Sequence, residues 1–272
     1  MAAHIDLHLH TCFSDGTTSP GELLELVRDA GLSAFSITDH DTLGGYHAVR
    51  QILADGDPEL VSGVELSVSV EHGDMHILAY LFDPAGDELR DELERFSKKR
   101  SERGKLMVDK LNRLGIDITF EDVRAAAGEG VIGRPHVARA MHEKKAVAYY
   151  EQAFHKYIGF DGPAYVPKAN FTPKKAIDLI HRAGGRAVLA HPGIDDKGGF
   201  VGMLVDLGLD GIEVYHPSHT RPDVDRFKHL AGRYRLVVTG GSDFHGVESR
   251  YGMVGSQKVP LSHLDNLKAL KK

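Results

Sequence analysis

Ile5-Asp6-Leu7-His8-Leu9-His10-Thr11-Cys12-Phe13-Ser14-Asp15-Gly16 is the stretch from which the fold is read. Ile5, Leu7 and Leu9 alternate with Asp6, His8 and His10, the period-2 pattern of a β-strand with one apolar and one polar face. Both imidazoles then point the same way. Ser14-Asp15-Gly16 reads as a turn that brings the Asp15 carboxylate back over the strand's carboxyl end. Two neutral imidazoles and a carboxylate suit a first-row divalent metal. A surface strand with scattered histidines is the plainer alternative, and the residues that follow decide between the two.

Working outward, Ser19-Pro20-Gly21-Glu22 carries a helix start: Ser19 as cap, Pro20 at the first position and Glu22 closing the box. Leu23, Leu24, Val27 and Ala30 continue it until Gly31. Ala34-Phe35-Ser36-Ile37-Thr38 is a second strand that runs into Asp39-His40-Asp41. A helix over residues 42–54 follows, and then a strand from Leu60 that ends on Glu65. Ser67 to Val70 and Met75 to Tyr80 flank His72-Gly73-Asp74 as a hairpin, with His76 on its second strand. Leu89, Leu93, Phe96, Leu106, Val108 and Leu111 predict a long helix from Asp87 to Leu114.

Beyond it the strand and helix alternation lapses. Thr119 and Pro135 open short helices, so residues 100–166 read as an inserted helical subdomain, and residues 1–99 with 167–272 as the main domain. Thr172-Pro173 resumes the rhythm. Strands ending in Ala190-His191-Pro192, in Tyr215-His216-Pro217-Ser218-His219 and in Gly241-Ser242-Asp243-Phe244-His245-Gly246 come next, and Ser262 caps a last helix.

The chain carries 33 Lys and Arg against 39 Asp and Glu, a formal net charge of −6, which argues against a surface that coats nucleic acid but allows a local basic pocket. Cys12 is the single cysteine, so no internal disulfide can form, and it reads as a small packing residue. No run approaches the roughly eighteen apolar residues of a membrane span, and no signal-peptide core precedes the first strand. These features predict a cytoplasmic protein with no membrane contact and no obligate protein partner.

Strands alternating with helices imply a mainly parallel sheet, and in a barrel of that kind the carboxyl ends of the strands converge on one mouth. His8, His10, His40, Glu65, His191, Asp243 and His245 all fall at such ends, and Asp15 follows one. Isolated structural histidines have no reason to do so. A metal site at the mouth requires it.

These motifs, with Thr38-Asp39-His40-Asp41, His76, Ala190-His191-Pro192 and Ser242-Asp243-Phe244-His245-Gly246, resemble the PHP (polymerase and histidinol phosphatase) family of metal-dependent phosphoesterases. The resemblance implies an α/β fold, a distorted (β/α)7 barrel, holding two or three divalent ions; His, Asp and Glu donors accept Mn, Fe or Zn. It implies a first metal on His8, His10, Glu65 and Asp243, a second on Glu65, His76 and His191, and a third on Asp15, His40 and His245. The expected chemistry is hydrolysis of a phosphate monoester by a metal-bridged hydroxide, with no serine or cysteine nucleophile.

Gly133-Arg134-Pro135-His136, the Tyr165-Val166-Pro167-Lys168 run and Tyr215-His216-Pro217-Ser218-His219 resemble a subgroup that removes the 3′-phosphate of nucleoside 3′,5′-bisphosphates, some members trimming short oligoribonucleotides from the 5′ end. A small phosphorylated substrate is implied, with Arg134, His136 and Lys168 as substrate contacts. Arg100, Arg103 and Lys105 read as one solvated helix face from which Arg103 is a further candidate contact. His216 and His219 are candidates for phosphate binding or leaving-group protonation. Histidinol phosphatase, metal-dependent amide hydrolysis and a non-catalytic metal-loaded module that binds nucleic acid or a partner are the competing readings. The long insert with Arg134 favours a larger anionic substrate than histidinol phosphate.

Overall fold

The alternation at the amino terminus becomes strand β1 (His4–Leu9); Asp6 and His8 on its polar face, and His10 just past its end, are all within 1% of complete burial. That burial removes the surface-strand alternative. The computed structural model describes residues 3–70, 73–168, 171–247 and 252–270. Further strands are β2 (Ala34–Ile37), β3 (Glu59–Val61), β4 (Gly63–Val70), β5 (Gly73–Tyr80), β6 (Arg186–Leu189), β7 (Gly211–Tyr215), β8 (Val237–Gly240) and β9 (Val259–Pro260). They form two mixed sheets, in the orders β3-β2-β1-β9 and β4-β5-β6-β7-β8. Within the first, β1, β2 and β3 run parallel and β9 antiparallel; in the second, β6, β7 and β8 are parallel while β5 opposes both neighbours. The fold is therefore α/β, as the alternation predicts, with the ladders divided between two sheets. Isolated bridges join them at two places, Leu9 to Phe244 and His40 to Glu65.

The single strand expected to end on Glu65 is instead two. Leu60 and Val61 pair with Phe35 and Ser36, the chain breaks at Ser62, and Glu65 sits inside β4 opposite Leu78 of the other sheet. Gly63 permits the crossing, because a Cβ there would lie 2.0 Å from Ser36 Oγ. Period-2 reasoning runs across this break, since apolar residues resume at Val64 after only Ser62 and Gly63. The β4–β5 hairpin forms in register from Gly63 with Tyr80 to Val70 with Gly73, while Glu71 and His72 of its expected turn lie outside the described residues.

Helices α1 (Pro20–Asp29), α2 (Gly44–Ile52), α3 (Asp87–Arg113), α4 (Phe120–Ala127), α5 (Arg134–Glu143), α6 (Tyr150–Ala153), α7 (Pro173–Arg182), α8 (Val201–Asp206), α9 (Arg221–Tyr234) and α10 (Ser262–Ala269) complete the chain; α6 continues into a π-helical turn, Phe154–Ile158. Ser19 and Glu22 make the predicted capping box, and Thr119 caps α4 with Asp122. Ser262 is not a cap: Leu261 takes that position and makes no side-chain cap bond.

Helix α3 is continuous across residue 100, where the sequence suggested a boundary. Its first turns bury Leu89, Leu93 and Phe96 in the core beneath β4, β5 and α7. Its last turns bury Met107, Val108 and Leu111 in a separate core with Val123, Val137 and Met141 of α4 and α5. The segment that follows α3 thus has an apolar interior of its own, hung on the second half of a helix rooted in the main body. No helix among the described residues is long and apolar enough to cross a membrane.

Candidate metal centre

Nine side chains from distant segments meet at one end of the sheets. His8 comes from β1 and His10 from just past its end, Asp15 from the turn that follows, His40 from the segment after β2, Glu65 and His76 from β4 and β5, His191 from the segment after β6, and Asp243 and His245 from the loop after β8. Their donor atoms fall into four overlapping groups, each within 4.8 Å: His10, Asp15, His40 and His245; His8, His10 and Asp243; His8, Glu65 and His191; His40, Glu65 and His76. All nine sequence-predicted residues are in these groups. The grouping differs in detail from the family-based expectation, as His10 also faces Asp15 and His76 stands with His40.

Glu65 is the hub. Its Oε1 lies 2.9 Å from both His76 Nδ1 and His191 Nε2, and its Oε2 lies 3.2–3.3 Å from His8 Nε2, His10 Nε2 and His40 Nδ1. One carboxylate 1% exposed therefore faces five imidazoles. Asp243 Oδ1 is 3.2 Å from both His8 Nε2 and His10 Nε2, and Asp15 Oδ1 is 3.3 Å from His245 Nε2. His191 (φ 27°) and Asp243 (φ 50°) hold left-handed backbone conformations that cost non-glycine residues energy and recur where a site dictates them.

The donor set fits divalent ions. His10 Nε2, Asp15 Oδ1 and His40 Nδ1 are buried and make no hydrogen bond among the described residues, so these atoms converge on shared space without being aimed at one another. Burial works against charge on Glu65, yet His40, His76 and His8 hold its carboxyl well below the usual range. Burial opposes charge on Asp15 and Asp243 too, and the histidines around them again win. Desolvation depresses His40 to about 3 and lowers His76, against the pull of Glu65 on both rings. His10 goes the other way: burial disfavours its charge, but Asp243 and Glu65 raise it to about 10.

Asp15, His40, Glu65, His76, His191, Asp243 and His245 floor a cleft of about 1270 Å³ whose wall is built by the insert, with His8 and His10 beneath them. Arg103, Arg134 and Lys168 all line it. Arg134 Nη2 is 2.6 Å from Asp74 Oδ2, Lys168 Nζ is 3.3 Å from Asp74 Oδ1, and the guanidinium of Arg134 lies 5.9 Å from the ring centres of Phe154 and Tyr165. Asp74, resisting burial with Lys168 and Arg134 beside it, is held down to about 2. Arg103 is not on a solvated face. It is 7% exposed, donates through Nε to the Val166 carbonyl at 2.7 Å, and leaves a buried Nη2 unpartnered; burial pushes it down to about 10. Arg100 is likewise no surface residue, since it pairs with Asp41 and donates to Ser67 Oγ.

Three other expectations meet corrections. His136 lines the cleft but is 1% exposed; its Nδ1 accepts the Gly133 N–H at 3.0 Å, and its ring ties the insert to the Ser14 backbone beside Asp15. His219 spends both nitrogens on the backbone, Nδ1 donating to the Val214 carbonyl and Nε2 accepting the Gly193 N–H, and packs on Phe227. His216 is 1% exposed, with Nδ1 accepting from the Ser218 N–H and Nε2 3.2 Å from Asp243 Oδ2. Neither His216 nor His219 lines the cleft, so the contact with substrate proposed for them does not survive the geometry. Both follow a strand end, but the turn folds their rings back beneath the mouth.

Three buried carboxylates escaped sequence reasoning. Asp6 accepts N–H bonds from Ser242 and Gly255, anchoring the Asp243 loop. Asp39 accepts from the Thr11 N–H and from the hydroxyls of Thr11 and Ser14, anchoring the Asp15 turn. Glu213 lies at complete burial behind His8 and His191. The available signal was a lone carboxylate inside the apolar run Ile212-Glu213-Val214, which a strand buries only with partners.

Overlapping sets of imidazoles and carboxylates on an α/β scaffold define the class of metal-dependent hydrolases. The PHP domain matches residues 6–182, more than half of the chain, and the chain belongs to that family. It is 33% identical over 247 residues to the 5′-3′ exoribonuclease Rnm of Salmonella typhimurium, covering 88% of this chain and 84% of that one. It is 34% identical over 249 residues to a 3′,5′-nucleoside bisphosphate phosphatase of Chromobacterium violaceum, covering 89% and 87%. A solved Bifidobacterium adolescentis structure assigned as a metal-dependent phosphoesterase superposes with a TM-score of 0.88 at 30% identity, covering 98% of this chain and 96% of that one. The chain is a phosphoesterase of the metal-dependent kind.

Proposed function

We propose that this protein removes the 3′-phosphate of nucleoside 3′,5′-bisphosphates, with short 5′-phosphorylated oligoribonucleotides as a second class of substrate. The observation that carries this reading is the charge of the cleft wall. Arg103, Arg134 and Lys168 surround one carboxylate, Asp74, while Arg100 is balanced by Asp41. Two positive charges remain uncompensated in a partly dry wall, facing a floor that itself calls for phosphoryl oxygen. A substrate with two separated phosphates answers both. Histidinol phosphate, which is cationic away from its single phosphate, answers only one.

His8, His10, Glu65, Asp243, His191 and His76 would hold two cations, and Asp15, His40 and His245 a third; the donor types accept Mn, Fe or Zn. When bound, such ions acidify water, bind phosphoryl oxygens and offset charge on the departing alkoxide. The chain's own residues do the remaining work. Arg134 presents a planar fork, braced between Phe154 and Tyr165, and Lys168 a point charge, so the two fix a non-reacting phosphate at the wall while the ester lies over the floor. Residues 100–166 act as the substrate-covering subdomain on a main domain of residues 1–99 and 167–272. The bridges from Leu9 to Phe244 and from His40 to Glu65 support reading the two sheets as one distorted seven-stranded barrel whose mouth is the site.

Phosphate release from adenosine 3′,5′-bisphosphate, 3′-AMP, 5′-AMP and histidinol phosphate by metal-loaded protein tests the proposal. The bisphosphate should give the highest kcat/KM, and a preference for histidinol phosphate would overturn it.

A further inference from the structure

Glu213 on β7 is wholly buried, and each of its oxygens is used by a different candidate ligand. Oε1 is 2.9 Å from His8 Nδ1, and Oε2 accepts the backbone N–H of His191 at 2.7 Å. These two residues approach from opposite sides, His8 from β1 in one sheet and His191 from the end of β6 in the other. A carboxylate only accepts, so His8 carries a proton on Nδ1, which leaves Nε2, the nitrogen facing Glu65 and Asp243, as the one a cation would take. The second bond holds His191 at φ 27°, the conformation that brings its ring 2.9 Å from Glu65.

We infer that Glu213 is the positioning residue for the His8, Glu65 and His191 group, setting the tautomer of one imidazole and the backbone of the other. The inference rests on the metal centre of the proposed function but not on its substrate. A carboxylate behind a ligating imidazole fixes ring orientation and strengthens the donor. Glu213 does this for two ligands of one group at once. The group of His10, Asp15, His40 and His245 makes no hydrogen bond to it among the described residues, so its influence falls on the ions that His8 and His191 would hold and not on the one at Asp15, His40 and His245.

Glu213→Gln discriminates sharply. An amide has one acceptor and one donor end, so either the His191 N–H faces another N–H or His8 must move its proton to Nε2, the nitrogen a cation would take. Metal-stripped wild-type and Glu213→Gln proteins are titrated with Mn²⁺, and bound metal per chain is measured by elemental analysis without substrate. The sites that His8 and His191 would fill should need about 10- to 100-fold more metal, with the site of Asp15, His40 and His245 unchanged. Loading curves that superimpose on wild type would overturn the inference, as would equal weakening of every site. Should the variant fail to fold, nitrogen-15 NMR of the wild-type protein decides: the ring proton of His8 belongs on Nδ1 in the metal-loaded state, and finding it on Nε2 overturns the inference. Because neither readout involves phosphate release, failure here leaves the substrate assignment standing, and the reverse holds.

Discussion

Replacing Arg134 by methionine keeps much of the aliphatic stem that lies near Phe154 and Tyr165 but removes the fork at the cleft wall. Arg134 is one of three cations around Asp74, so the substitution leaves Arg103 and Lys168 against that carboxylate and halves the uncompensated charge. A hydrogen bond to a charged partner contributes about 1.5–3 kcal/mol, and at 22% exposure this side chain is sheltered enough for that range to apply. With each factor of ten worth about 1.4 kcal/mol, kcat/KM for adenosine 3′,5′-bisphosphate should fall between roughly tenfold and 150-fold. The loss belongs in KM, because the wall holds a phosphate that does not react. For 3′-AMP, which lacks that phosphate, kcat/KM should change by less than about threefold. Steady-state phosphate release with both substrates at saturating metal measures this. Equal losses on the two substrates, or a loss confined to kcat, would refute the assignment of the wall to a second phosphate.

Other outcomes follow from the same geometry. Glu65→Gln should reduce bound metal and cut turnover more than about a hundredfold, since one carboxylate serves several candidate ions; elemental analysis and phosphate release check it. Lys168 is pushed by burial from its ordinary range down to about 8, so the amine loses its proton as pH rises through 8. The folded chain resists charging this lysine, so that penalty on stability is present below pH 8 and fades between 8 and 10.5. The dissociation constant of inorganic phosphate or bisphosphate should rise above pH 8 in the wild type, and a flat profile from pH 7 to 9.5 would contradict it. Loading the stripped protein at pH 7 should release protons, because His10 sits at about 10 without a cation and must give up its proton to bind one; calorimetry in buffers of different ionisation enthalpy reads this directly. His219→Phe should destabilise the fold by about 1–3 kcal/mol through the stranded Gly193 N–H, while kcat of the folded enzyme stays within twofold.

Much of the centre was legible because metal ligands must be imidazole or carboxylate and because strands deliver side chains to their ends in a fixed rhythm. His8, His10, His40, His191, Asp243 and His245 were found that way, and the structure gathers them with Asp15, Glu65 and His76. What stayed hidden depended on long-range contacts that leave no periodic trace. The break at Ser62 is marked only by the two small residues Ser62 and Gly63 between apolar neighbours, and the approach of Ser36 to Gly63 shows why the chain changes sheets there. His219 has the same local setting as a ligand, yet two backbone partners, from Val214 and Gly193, claim its ring. Arg103 shares a charged helix with exposed lysines, and its burial is set by where the Tyr165 to Lys168 segment returns against α3.

Helix α3, with 27 residues and a length of about 40 Å, works as a rigid strut between the two apolar interiors. Its root is gripped by Leu89, Leu93 and Phe96, and Arg100 bolts its middle to Asp41, the neighbour of His40. The angular setting of the roof over the cations is therefore a matter of helical phase. One residue added between Phe96 and Arg100 would swing Arg103 and everything beyond it by about 100° around the axis, carrying the basic wall off the cleft without touching a single ligand.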